Sequence, residues 1–127
     1  MREILFRGKR VDNGEWVVAD SFYQCNGKIK LWDSQNRDGY VEVEKETVGQ
    51  FTSLTDNKNG KKIFEGDILQ GSWKTRIIVF FDNDYLQFRA REISSYAVEH
   101  SINYYDNGKL EVIGNIHDNK ELLEIGE

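Results

Sequence analysis

Apolar and polar residues alternate along most of this chain, and the alternation is interrupted by turn-forming dipeptides. Trp16 and Val18 share one parity and Ile29 and Leu31 another. A period of two is that of a strand, whose successive side chains point to opposite faces. Five Asn-Gly or Asp-Gly pairs (Asn13-Gly14, Asn26-Gly27, Asp38-Gly39, Asn59-Gly60 and Asn107-Gly108) mark tight turns between such segments, because these residues accept the positive φ angles of hairpin loops. The pattern predicts strands near residues 2–8, 15–20, 22–25, 28–32, 40–44, 47–53, 67–71, 75–82, 85–91 and 110–116. A short apolar strand at Ile63-Phe64 precedes a tight turn at Glu65-Gly66-Asp67, and Asp82-Asn83-Asp84 forms another turn. Ile93, Tyr96, Ala97 and His100 fit helical spacing, yet the Ser, Asn and Tyr content of 93–105 suits a strand, so both readings stay open. Near the end, Asp118 is placed to cap a short helix through Asn119–Leu123.

The fold class that follows is mainly β. Spacings of 13, 12, 21 and 48 residues between the turn dipeptides have no constant period, which excludes a solenoid or propeller. At 127 residues one domain with one core is expected. Any internal division is a pair of lobes, residues 1–50 with the N-terminal hairpins and residues 51–127.

Composition refines this picture. Three Trp, six Tyr and seven Phe favour a pleated surface that accommodates large flat side chains. Proline is absent, so the turns rest on Asn, Asp and Gly. The net charge of −5 is unevenly spread: residues 1–63 hold 11 Lys/Arg against 10 Asp/Glu, and residues 64–127 hold 6 against 12. This balance disfavours a broad nucleic-acid footprint while leaving room for a local patch. Cys25 stands alone, which fits a reducing compartment. The longest aliphatic-aromatic run, Ile77–Phe81, is far too short to span a bilayer. A soluble, cytoplasmic protein without membrane association is expected.

Three segments resemble the YopX family of small proteins encoded by phages and prophages of bacteria: Arg2–Gly8, Phe51–Leu69 and Glu111–Leu123. The family pattern usually has an aromatic where His117 stands and a proline where Lys120 stands. The resemblance implies a mostly β fold containing a small SH3-like barrel, here with additional N-terminal hairpins and a short C-terminal helix, and a phage or prophage origin. It implies no enzyme activity, cofactor or catalytic residue.

Two groups of residues carry candidate chemistry. Arg2, Arg7, Arg10 and Trp16, together with Lys28, Lys30 and Trp32, join cations to aromatics, a combination that binds phosphate and stacks on bases. The competing reading makes Trp16 and Trp32 core or interface anchors and the lysines protection for an edge strand. Glu65 and Asp67 flank Gly66 and are a weak acidic candidate for a divalent cation, although one turn offers few of the oxygen ligands such an ion takes. Cys25, His100 and His117 lack the spacing of a zinc site, and neither a nucleophile elbow nor a phosphate-binding loop is present. No cofactor is expected. The preferred reading is a non-enzymatic accessory protein that binds a protein partner or self-associates. The first alternative is nucleic-acid binding and the second a divalent-metal-dependent enzyme.

Overall fold

The computed structural model describes residues 2–56, 58–105 and 109–125. Its strands are β1 (Phe6–Lys9), β2 (Trp16–Ala19), β3 (Phe22–Cys25), β4 (Lys28–Asp33), β5 (Gly39–Val43), β6 (Gly49–Thr55), β7 (Lys62–Phe64), β8 (Asp67–Gln70), β9 (Arg76–Asp82), β10 (Gln87–Glu92), β11 (Glu99–Ser101) and β12 (Glu111–Asn115). Single turns of 3-10 helix occur at Lys45–Thr47, Ser72–Lys74, Ile102–Tyr104 and Lys120–Leu123. The chain is mainly β, and the three sheets formed by the described residues are antiparallel. It forms two compact units, Met1–Ser53 and Leu54–Glu127.

In the first unit β1 lies between β2 and β6, and β4 lies between β3 and β5. Register follows from turn chemistry and from burial. Asn26 and Gly27 both take positive φ, 52° and 76°, the arrangement of a two-residue hairpin loop, and this pairs Cys25 with Lys28 and Phe22 with Leu31. Leu31, Val43, Val17 and Ala19 then meet in one core, with Phe6, Ile29, Val41 and Val48 at its margin. Asn107-Gly108 lies outside the described residues; glycines 14, 39 and 60 of the remaining pairs also take positive φ.

The second unit is built on a five-stranded sheet ordered β11-β10-β9-β8-β12. The apolar run Ile77–Phe81 lies in β9, paired on one side with β8 and on the other with β10. Ile77 and Val79 enter a core with Ile63, Leu69, Ala90, Ile102 and Leu110. Gly114 of β12 has a packing reason: a Cβ there would meet the Asn119 side-chain oxygen at 2.5 Å, and that oxygen accepts the Asn115 N–H at 3.1 Å.

Several expectations need correction. Among the described residues none of the sheets closes on itself, so an open sheet stands where a small barrel is expected. Its edges, β11 and β12, are kept apart by three strands, and β11 stops after three residues where Ser101 begins a 3-10 turn. The segment 93–105 forms neither a helix through Ile93, Tyr96, Ala97 and His100 nor one strand. It supplies a turn, then β11, then that 3-10 turn. At the C-terminus a single 3-10 turn, Lys120–Leu123, replaces the expected capped helix, and its N-cap position is Asn119, not Asp118. Asn115 Oδ1 already accepts the N–H groups of His117 and Asp118, which organises the approach without an Asp118 cap. The first strand begins at Phe6, not residue 2.

Candidate functional site

Strand alternation sorts β4 into two faces. Ile29, Leu31 and Asp33 point inward, and Lys28, Lys30 and Trp32 point outward. Because Leu31 must fill the core, Trp32 has to face out; a one-residue slip would exchange the two sets. On the same outer face Tyr40 of β5 stands opposite Trp32, and Tyr23 of β3 stands opposite Lys30. Tyr40 is the middle ring. Its centroid lies 5.1 Å from Trp32 and 4.9 Å from Tyr23, both in edge-to-face contact, an arrangement that aromatic quadrupoles favour. A 2.6 Å hydrogen bond between the Tyr40 hydroxyl and the Ser21 hydroxyl fixes this ring. Even so, Tyr23, Trp32 and Tyr40 keep 41%, 44% and 41% of their surface exposed. Lys28 Nζ is 3.9 Å from Glu42 on the same face. Among the described residues no carboxylate lies within ion-pairing distance of Lys30.

A second cation-aromatic group sits on the hairpin of β1 and β2. The Arg7 guanidinium lies 4.9 Å and the Lys9 ammonium 5.8 Å from the Trp16 ring centroid, the pairing that strand register across β1 and β2 provides. Arg10, one residue on, has a different task. It is buried; Nε and one terminal nitrogen grip Asp12 at 2.9 and 2.7 Å, and the other terminal nitrogen donates to Asp33 at 3.0 Å and Asp38 at 2.7 Å. A guanidinium committed in this way has little left for phosphate. Arg2 is exposed ahead of β1. Of the seven basic and aromatic candidates, the structure thus groups Arg7 with Trp16, groups Lys28, Lys30 and Trp32 with two tyrosines, and makes Arg10 a clamp.

The acidic candidates resolve into turn chemistry. Asp67 is buried and its Oδ2 accepts the Phe64 N–H at 2.7 Å, closing the Glu65-Gly66-Asp67 turn; Glu65 is half-buried in the same turn. Asp82 accepts the Asp84 N–H at 2.9 Å. Among the described residues no group of three or more His, Cys, Asp and Glu could hold a metal ion.

A further cluster gives no sequence signal strong enough to find it. Glu92 Oε2 accepts from the Tyr105 hydroxyl at 3.1 Å and lies 3.4 Å from His100 Nε2. His100 is stacked on Tyr104 with centroids 3.9 Å apart and planes within 6°. Burial, reinforced by the Glu92 carboxylate, pushes the Tyr105 hydroxyl well above its ordinary pKa, which keeps it a proton donor. Helical spacing through His100 misdirects the reading here, because the three residues meet across β10, β11 and the following turn. Glu92 also lines a groove of about 640 Å³ with Arg76, Ile93, Tyr96 and Trp73. Trp73 is 97% exposed on left-handed backbone, φ 61°.

Comparison with known proteins supplies kinship without chemistry. No curated protein sequence matches the chain. The model of the YopX protein family matches residues 5–124; with nearly the whole chain covered, the protein belongs to the YopX family.

Proposed function

We propose that this YopX-family chain is a non-enzymatic binding module, an accessory protein of a phage or prophage acting in the bacterial cytoplasm, and that its recognition surface is the outer face of β3, β4 and β5. One observation carries the reading: three aromatic rings locked edge to face stand exposed on an open sheet while smaller apolar residues fill the core beneath them. Rings held in place by one another lose little freedom on binding, and Trp and Tyr dominate the energetics of recognition surfaces. The buried carboxylates Asp33, Asp56 and Asp67 each accept local donors, so they are occupied with architecture. Contact chemistry is what this unit presents to solvent.

The test compares the wild type with Trp32→Ala/Tyr40→Ala as immobilised baits for bacterial extract, each run with and without nuclease. The wild type retains material that the variant loses roughly thirtyfold, the scale of losing a binding hot spot, while circular dichroism shows both folded. Equal retention by the two baits refutes the reading.

A further inference from the structure

We infer that the occupant of the β3-β4-β5 face is single-stranded nucleic acid, held by base stacking on Tyr23, Trp32 and Tyr40 with Lys28 and Lys30 beside the phosphates. The inference rests on the binding-module reading above and names its ligand class.

Three observations favour this ligand over a protein. First, β4 is the central strand of its sheet, hydrogen-bonded to β3 and β5, so Lys28 and Lys30 cannot be explained as guards of an exposed edge. Second, lysine is depleted from the centres of protein interfaces, whereas a polyphosphate requires cations next to its stacking surface. On this face Lys30 forms no ion pair among the described residues even though Glu42 is its cross-strand partner, and Lys28 is only loosely paired, 3.9 Å from that same Glu42. Third, the acid of β4 is turned away. Asp33 alternates to the inner face and is bound to Arg10 there, leaving the outer face with two cations against Glu42.

The character of the ligand follows from the same side chains. Rings exposed on an open sheet suit splayed, unpaired bases, because a duplex hides the base faces and offers only groove edges. Apart from Lys28 and Lys30, the outer face offers bases chiefly the rings, whose π-faces accept any base, so sequence preference will be weak. The overall charge of −5 limits the electrostatic share, which makes stacking the larger component.

Fluorescence anisotropy with labelled oligothymidylate and oligouridylate of about 12 nucleotides, within the roughly 4–16 nucleotides a small β domain covers, tests this directly, with duplex of the same length as control. The wild type binds both single strands in preference to duplex. Two or three phosphate contacts give an affinity that falls roughly 7- to 20-fold between about 50 and 200 mM salt. Trp32→Ala and Tyr40→Ala each weaken binding roughly ten- to hundredfold. Lys28→Ala/Lys30→Ala flattens the salt dependence while the folded circular-dichroism spectrum persists.

Absence of single-strand binding by the wild type, or binding indifferent to Trp32 and Tyr40, overturns the inference. Loss on Trp16→Ala with none on Trp32→Ala overturns the choice of face. If oligonucleotides fail while the immobilised wild type still retains nuclease-resistant material that Trp32→Ala/Tyr40→Ala loses, the ligand is a protein. The binding module then stands and only its nucleic-acid ligand falls.

Discussion

Each unit has a buried charge that serves as a hub, and the two hubs, Arg10 and Asp56, work in opposite ways. In the first unit Arg10 is a donor hub. It reaches from the end of β1 to Asp12, Asp33 and Asp38, tying a hairpin turn to both ends of the β4-β5 connection. In the second unit Asp56 is an acceptor hub, with Oδ1 receiving the N–H groups of Asn59 and Lys61 and Oδ2 receiving that of Val112. One carboxylate thereby gathers Asn59 and Lys61 and pins them to β12. Arg10 is held by other side chains that can themselves be titrated or screened. Asp56 is held by backbone dipoles that neither salt nor pH removes, so only its own protonation releases it.

The sharpest way to break this comparison is Arg10→Ala, which strips the cation from buried Asp33 and leaves it only its bonds to Asn36. An uncompensated buried charge is among the costliest single lesions. The urea midpoint should fall further than it does for Asp56→Ala, and Arg10→Lys, a point charge without the planar fork, should recover only part of the loss. An Arg10→Ala protein as stable as wild type would show that the clamp is ornamental.

Asp56→Ala should cost about 2–4 kcal/mol, because three backbone donors lose a buried acceptor at about 1–3 kcal/mol each and solvent recovers part of it. The cost should be nearly the same at low and high salt, unlike that of Arg10→Ala. Equal salt sensitivity in the two variants would erase the distinction between the hubs.

Acid should act on both. Burial alone would raise the Asp56 carboxyl, but the N–H groups of Val112, Asn59, Lys61 and Gly60 outweigh it and hold the pKa below the ordinary range. Asp33 is likewise held down against burial by Asn36 and Arg10. A depressed native pKa stabilises above the unfolded value of about 3.9 and is lost as pH falls through the native value. Urea midpoints should therefore hold between about pH 7 and 5 and decline below about pH 4, with a shallower decline in Asp56→Asn; an unchanged slope in that variant would remove Asp56 from the acid response.

The smallest expected effect is a gain. Trp73→Gly relieves a left-handed residue at a cost of about 1–2 kcal/mol, partly offset by glycine's unfolded-state entropy. Denaturation should show a rise of about 1 kcal/mol or less, and a clear loss would mean that the Trp73 ring contributes to the folded unit.

The strands are legible in the sequence because turn chemistry and period-two burial agree: Asn26-Gly27 fixes one hairpin and Leu31 fixes its facing. The cation-aromatic reading of Arg7, Trp16, Lys28, Lys30 and Trp32 comes from the same alternation. What period cannot supply is exposure. Trp16 and Trp32 read as core or interface anchors or as stacking residues, and only the structure decides that Leu31 takes the interior and Trp32 the surface. Arg10 reads as one more surface cation beside Arg7 and Lys9, since its aspartates lie up to 28 residues away. Barrel closure is also invisible locally, because it depends on whether the two edge strands meet. The cluster of Glu92, His100 and Tyr105 is hidden for the same reason, being assembled by pairing between β10 and β11.

The proline-free turns have a consequence in time. Across these 127 residues there is no proline, so no X-Pro bond must choose an isomer. The slow step of tens of seconds that such bonds impose is missing, and with a single cysteine no disulfide within the chain has to form. Most of its strand pairs join neighbours in sequence, but β1–β6 and β8–β12 close long loops, and all-β chains with such pairings fold in milliseconds to seconds. A freshly synthesised or denatured chain should reach its binding-competent form in that window without help from a prolyl isomerase.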